Sequence, residues 1–174
     1  MESVTGMKGW RLVRHVPAGS NWHPAKDHLE GTEVYGNPEC HDEPWSVPFG
    51  EFDEFLFATG DLSKWLVATK AAVTGEYYEN EYRTIIASSC SAEPYQVRWY
   101  NRPEVSEDPW VSLEDHHTAI SGNNLLYGGA SFDWESHITS VRDFGGANVY
   151  VRKIEESKQV CFDFDGRQRS TPRL

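Results

Sequence analysis

Short runs that alternate residue by residue recur along this chain. They constrain its fold more than any other feature, because a segment of period two can bury a single face only as a β-strand. In Trp10 to Val16, Trp10, Leu12 and Val16 share one parity and Arg11, Val13 and His15 the other, while Arg14 interrupts the apolar side. Phe52-Asp53-Glu54-Phe55-Leu56-Phe57-Ala58 is expected to form a mostly buried strand. Tyr82 to Ser88 carries the β-branched pair Ile85-Ile86, and Tyr95, Val97 and Trp99 alternate with Gln96, Arg98 and Tyr100. Asn148 to Ile154 and Gln159 to Phe164, joined by Glu155-Glu156-Ser157-Lys158, predict a hairpin. One helix is expected between Asp61 or Ser63 as cap and about Val73. Leu62, Trp65, Leu66 and Val73 lie at helical spacing, Thr69 interrupts that stripe, and Gly75 is the expected stop.

These elements predict an α+β fold: a twisted, mainly antiparallel sheet, one principal helix around Asp61–Val73, and long loops. At 174 residues, with no dividing linker, the chain is expected to be a single domain with residues 1–8 and 166–174 as flexible tails. The longest connector runs from Ser20 to Pro48 and is punctuated by Pro24, Pro38, Pro44, Gly31 and Gly36. A connector of that length usually carries function or short elements of its own. Asn101 to Pro109 is turn-rich, and Trp110 to Gly146 is glycine-rich with a weak pattern.

Charge narrows the partners. Asp and Glu outnumber Lys and Arg by 27 to 16, a net charge of −11. Binding to a polyanion draws on Lys and Arg that release its counterions, so no nucleic-acid partner is expected. No apolar run approaches the roughly 20 residues of a membrane-spanning helix, so no membrane insertion is expected either. Residues 1–9 have no apolar signal-peptide core and the chain has no N-x-Ser/Thr sequon, features that favour an intracellular or virion-associated protein. Cys40, Cys90 and Cys161 are widely spaced, odd in number and outside any C-x-x-C pattern. Reduced thiols are expected, with one disulfide plus a leftover thiol as the alternative.

The chain carries clusters of chemically capable residues rather than catalytic signatures. The G-x-S-x-G, H-E-x-x-H and phosphate-loop patterns are absent, and no cofactor is expected. In Trp22-His23-Pro24-Ala25-Lys26-Asp27-His28, the histidines and Asp27 could converge on a metal. The blander reading is that Trp22 anchors the connector while the histidines hydrogen-bond backbone. In Glu114-Asp115-His116-His117, adjacent histidines on an extended chain face opposite sides, and Asp115 with one His could form an acid–base pair. Asp163-Phe164-Asp165-Gly166 begins like a calcium loop, but its twelfth position is Leu174 and not a carboxylate, so that reading fails. Trp22, Trp45, Trp110 and Trp134 stand in polar, loop-like contexts. Aromatics beside polar groups are the usual material of sugar sites. The candidate ligand-binding set is therefore Trp22, His23, Asp27, Trp45, Trp110, His116 and Trp134.

Gly9 to Val16, Trp22-His23-Pro24-Ala25 and Gly31-Thr32-Glu33-Val34-Tyr35-Gly36 resemble a domain found in proteins of microalgae and their large DNA viruses. So do Phe52 to Asp61, Ser63-Lys64-Trp65-Leu66 and Gly145 to Arg152, extending the resemblance over about residues 9–152. It implies no activity. More distantly, Gly9-Trp10-Arg11-Leu12-Val13 and Glu54-Phe55-Leu56-Phe57 are similar to strands of fibrinogen C-terminal and intelectin-like lectin domains. The paired cysteines, acidic calcium loop and aromatic pocket of those domains have no counterpart here, so no binding residue carries over. The expected function is non-catalytic recognition of a glycan or protein surface through loop aromatics. The alternatives are a structural component of a virion or large complex, and a metal-dependent hydrolase.

Overall fold

In a computed structural model of the chain, residues 8–18, 22–75, 82–90, 96–99, 101, 103–113, 125–128 and 145–155 are described. The principal sheet has six strands: β1 (Arg11–Val16), β2 (Trp45–Ser46), β3 (Glu54–Thr59), β4 (Trp65–Thr69), β6 (Ala87–Ser88) and β10 (Ala147–Arg152). Their order is β2-β1-β10-β3-β4-β6, and every neighbouring pair is antiparallel. Two small antiparallel ladders accompany it. β5 (Tyr82–Thr84) pairs with β7 (Gln96–Arg98), and β8 (Val111–Ser112) pairs with β9 (Leu125–Tyr127). The described residues are thus mostly antiparallel sheet with one short helix, α1 (Lys70–Thr74). No helix among them is long and apolar enough to cross a membrane.

The helix expected over Asp61–Val73 is a correction. Within that stretch residues 65–69 are β4, which forms a hairpin with β3 through the turn at Gly60–Lys64, and only residues 70–73 are helical. The Asp61 carboxylate accepts from the Thr59 hydroxyl (2.7 Å), the Ser63 amide (3.0 Å) and the Ser63 hydroxyl (2.8 Å). It therefore builds a turn and does not cap a helix. Leu62 sits in that turn at φ 60°, while Leu66 and Ala68 face the core. The apolar residues fit period two as well as period 3.6, and sheet pairing decides. Thr69 caps the five-residue helix, accepting from the Ala72 amide, and Gly75 ends it as expected.

Two other expectations change. The predicted single strand Tyr82–Ser88 is split between two sheets, with Ile85 buried at the break. The hairpin predicted for 148–154 and 159–164 meets an obstacle, since β10 is already paired along one edge with β1 and along the other with β3. The second run of that hairpin lies outside the described residues.

The core lies on one face of the sheet. Phe49, Phe52, Phe55 and Phe57 form a chain of ring contacts with centroids 4.7–6.2 Å apart, joined by Leu66, Val149, Leu125 and Tyr127. All six residues of β3 are buried, as its central position requires. β1 departs from strict alternation. Its register against β10 slips between Leu12 and Arg14, so the extra residue Val13 bulges. Val13, Arg14 and Val16 are buried, while Leu12 moves to the half-buried outer side opposite Tyr150. The bulge therefore corrects the expected inward set of Trp10, Leu12 and Val16, and it carries a charged side chain into the interior.

Candidate functional site: a buried charge cluster under the long connector

Arg14 is fully buried, and all of its donors are engaged. Nε donates to Ser46 Oγ (3.0 Å). Nη1 donates to Asp108 Oδ2 (2.7 Å) and Tyr127 Oη (3.1 Å), and Nη2 donates to both oxygens of Asp27 (3.1 Å each). The guanidinium carbon lies 4.9 Å from the Phe49 ring centroid and 5.9 Å from that of Tyr35. Five segments distant in sequence thus meet at one side chain: β1, the connector at 27–35, β2, the 103–110 loop and β9.

The carboxylates pass this order on to the connector. Asp27 Oδ2 accepts from the amides of Thr32 (2.8 Å) and Glu33 (3.1 Å), closing the turn that follows it. Asp108 Oδ1 accepts from the amide of Leu29 (3.3 Å), and its Oδ2 also takes the Tyr127 hydroxyl (2.6 Å). His28 and Leu29 adopt left-handed backbone at φ 55° and 60°, a region that residues with a β-carbon rarely occupy. A buried leucine in this conformation requires a surrounding structure that over-determines it, and the Asp108 contact supplies part of that. Gly31 (φ 77°) is needed on steric grounds as well, because a Cβ there would come within 2.1 Å of the Phe49 ring. Farther along, Tyr35 and Ser46 exchange both backbone hydrogen bonds, and Val47 donates to Val13. The connector is folded back on itself and pinned to β1.

Electrostatics follow burial. Desolvation works against the Arg14 charge, but the oxygens of Tyr127, Asp108, Tyr35 and Asp27 outweigh it and keep the guanidinium protonated. Asp27 titrates below the usual carboxylate range: burial opposes its charge, but Arg14 and the two amides prevail. Burial pushes Asp108 up to about 7 despite Arg14. His23 is pushed down to about 3, chiefly by burial and with help from Arg14. Its Nε2 donates to the Gly128 carbonyl (2.6 Å), its Nδ1 accepts from the Ala25 amide (3.2 Å), and its ring stacks on Tyr127 with centroids 4.7 Å apart. The imidazole is therefore neutral, with one tautomer fixed by its partners.

Of the predicted site residues, Trp22, His23 and Asp27 come together here. Trp22 Nε1 donates to the same Gly128 carbonyl (3.1 Å), so the indole anchors the connector. Trp45 and Trp110 correct the expectation of exposed loop aromatics. Trp45 is 5% exposed in β2, with its ring centroid 6.0 Å from that of His15, and Trp110 is 4% exposed in the core. Their polar sequence neighbours hide strand and core placements. His28, next to Asp27, is half-buried. Asp115, His116, His117 and Trp134 lie outside the described residues. Cys40 and Cys90 are free thiols, half-buried and exposed, and Cys161 lies outside the described residues.

Arg14, Asp108, Tyr127 and Ser46 were not among the predicted site residues. Arg14 did leave a signal, as the one charge on the apolar side of an alternating run. Asp108 and Tyr127 left none, one lying in a turn-rich stretch and the other in a glycine-rich one. The cluster contains acid, base and hydroxyl groups, but His23, Arg14, Tyr127 and Asp108 are each 2% exposed or less. Chemistry on an external substrate has no route to them without the connector opening. Among the described residues, no group of three or more His, Cys, Asp or Glu is placed to hold a metal. No known protein family, curated protein or solved structure matches the chain.

Proposed function

We propose that this chain is a non-catalytic recognition module whose binding surface is the 22–48 connector, held rigid from below by the Arg14 cluster. The observation that carries this reading is the commitment of a fully buried arginine and two carboxylates to fixing one loop. A buried ion pair contributes little net stability compared with apolar packing, so its role is better sought in specifying one conformation. A preordered loop loses less entropy when it binds. The outer side of the connector offers Val34, 60% exposed, with the half-buried carboxylate of Glu33 and the exposed one of Glu39. That combination of apolar tip and acidic rim suits a protein surface, or a glycan whose apolar face packs on Val34.

Catalysis by the histidine-containing segment is the weaker reading, because both nitrogens of His23 and both oxygens of Asp27 are taken by internal partners. The test is a glycan array together with a crosslinking screen, using wild type and Val34→Asp. Binding that Val34→Asp reduces supports the reading. Binding that ignores Val34→Asp and Tyr35→Ala places the ligand elsewhere and removes the connector from the account.

A further inference from the structure

At the other end of β1 from the connector's start, the Lys8–Gly9 turn and the end of β10 enclose a cleft of about 510 Å³, lined by Lys8, Gly9, Arg152, Lys153, Ile154 and Glu155. Its walls are ordered by contacts on the sheet side. The Arg152 guanidinium lies 4.4 Å from the centroid of the Trp10 ring, and its Nε and Nη2 both donate to Glu54 Oε2. That leaves Nη1 uncommitted among the described residues. Lys153 pairs with Asp53 Oδ1 (3.1 Å), and the Ile154 amide donates to Asp53 Oδ2 (2.8 Å), which fixes the chain as it leaves the sheet. Lys8 is exposed and forms no ion pair with any described residue. Ile154, 51% exposed, supplies an apolar wall.

We infer that this cleft binds an anionic sugar of one or two rings, such as a uronic acid or a sulfated hexose. The inference rests on the recognition reading for its ligand class but places the ligand at a different site. The volume falls in the range of small-ligand sites, roughly 300–1,000 Å³. Lys8, Arg152, Lys153 and Glu155 line the cleft, and Glu54 and Asp53 pair with Arg152 and Lys153 from behind it, so Lys8 is the cation left without a partner among the described residues. Arg152, held against the Trp10 ring and bonded to Glu54, offers its remaining Nη1 at little entropic cost, as oxyanion recognition favours. The apolar face of a pyranose packs on Ile154, and the oxyanion is shared by Lys8 and Arg152.

The probes are glucuronic acid and glucose 6-sulfate, with glucose and inorganic sulfate as references. The readout is the Trp10 indole and Ile154 amide resonances of the full chain. Saturating shifts with the two anionic sugars at about 20 mM or below, and not with glucose, are expected; so is a loss of affinity of about fivefold in Lys8→Gln and more in Lys8→Glu. Absence of shifts, equal shifts with glucose or with sulfate alone, or affinity unchanged in both Lys8 variants would overturn the assignment. Shifts that fall on Val34 and Tyr35 instead would sink this site while leaving the connector reading intact.

Discussion

Arg14 pairs with carboxylates of two loops and Arg152 with one across the neighbouring strand, and their surroundings give the two sites different work. Arg14 is wholly buried with Asp27 and Asp108, which are 4% and 0% exposed in their side chains. Arg152 is one-third exposed against Glu54, and beside it Lys153 and Asp53 are 57% and 37% exposed. In the interior, an unpaired charge cannot be rescued by water, so each partner obliges the others and the connector is locked as a unit. Glu54 is itself buried, so its bond with Arg152 is shielded on one side, whereas water and salt compete for the Lys153–Asp53 contact at the rim. That exposed pair holds little energy, and the cleft keeps cations available to a ligand.

Arg14→Met is the strongest challenge to this contrast. It leaves two buried carboxylates facing each other and should cost about 3–5 kcal/mol in urea unfolding. If it costs less than a rim substitution, the distinction fails. Replacing Arg14, Asp27 and Asp108 together by apolar residues sharpens the point. Stability should recover most of that loss, while the amides of Thr32 and Glu33 lose their protection from exchange.

The pH dependence comes next in size. The folded state holds His23 at about 3, below its ordinary range, so the unfolded chain takes up that proton first. His23 therefore supports the fold above about 6.5, and that support drains as the pH falls. Relative to His23→Gln, wild type should lose about 2 kcal/mol between pH of about 6.5 and about 5. Asp108 acts in the opposite sense. Raised to about 7, it favours the fold at low pH, and its contribution is lost as the pH climbs through that value. Asp108→Asn should accordingly be least damaging, relative to wild type, on the alkaline side, as thermal melts across the range would show. The smallest effect belongs to the rim: Lys153→Gln should change stability by less than about 1 kcal/mol, and less still at high salt.

The antiparallel sheet was legible because β1 and β10 alternate over much of their length and β3 is a short apolar, aromatic run of the kind a central strand needs. β4 was not. Leu62, Trp65, Leu66 and Val73 satisfy helical spacing, and only pairing with β3, a non-local fact, excludes it. The bulge at Val13 is equally non-local, since it is defined by register against β10, yet its consequence was visible as a misplaced Arg14. Trp22 and His23 were singled out both as candidate ligand-binding residues and as an anchor and a backbone-bonding residue, but the acceptor they share, the Gly128 carbonyl, is far away in sequence and left no local signal. The cluster itself was hidden, because Asp27 and Asp108 are 81 positions apart in sequence and nothing short-range links a turn aspartate to a buried arginine.

Hydrogen exchange at the Leu29, Thr32 and Glu33 amides tests most directly whether the Arg14 cluster holds the connector. In wild type these amides should exchange as slowly as those of β3. In Arg14→Met, under conditions where β3 remains protected, they should exchange at least about tenfold faster. Fast exchange in wild type, or rates that the substitution leaves unchanged, would contradict the account.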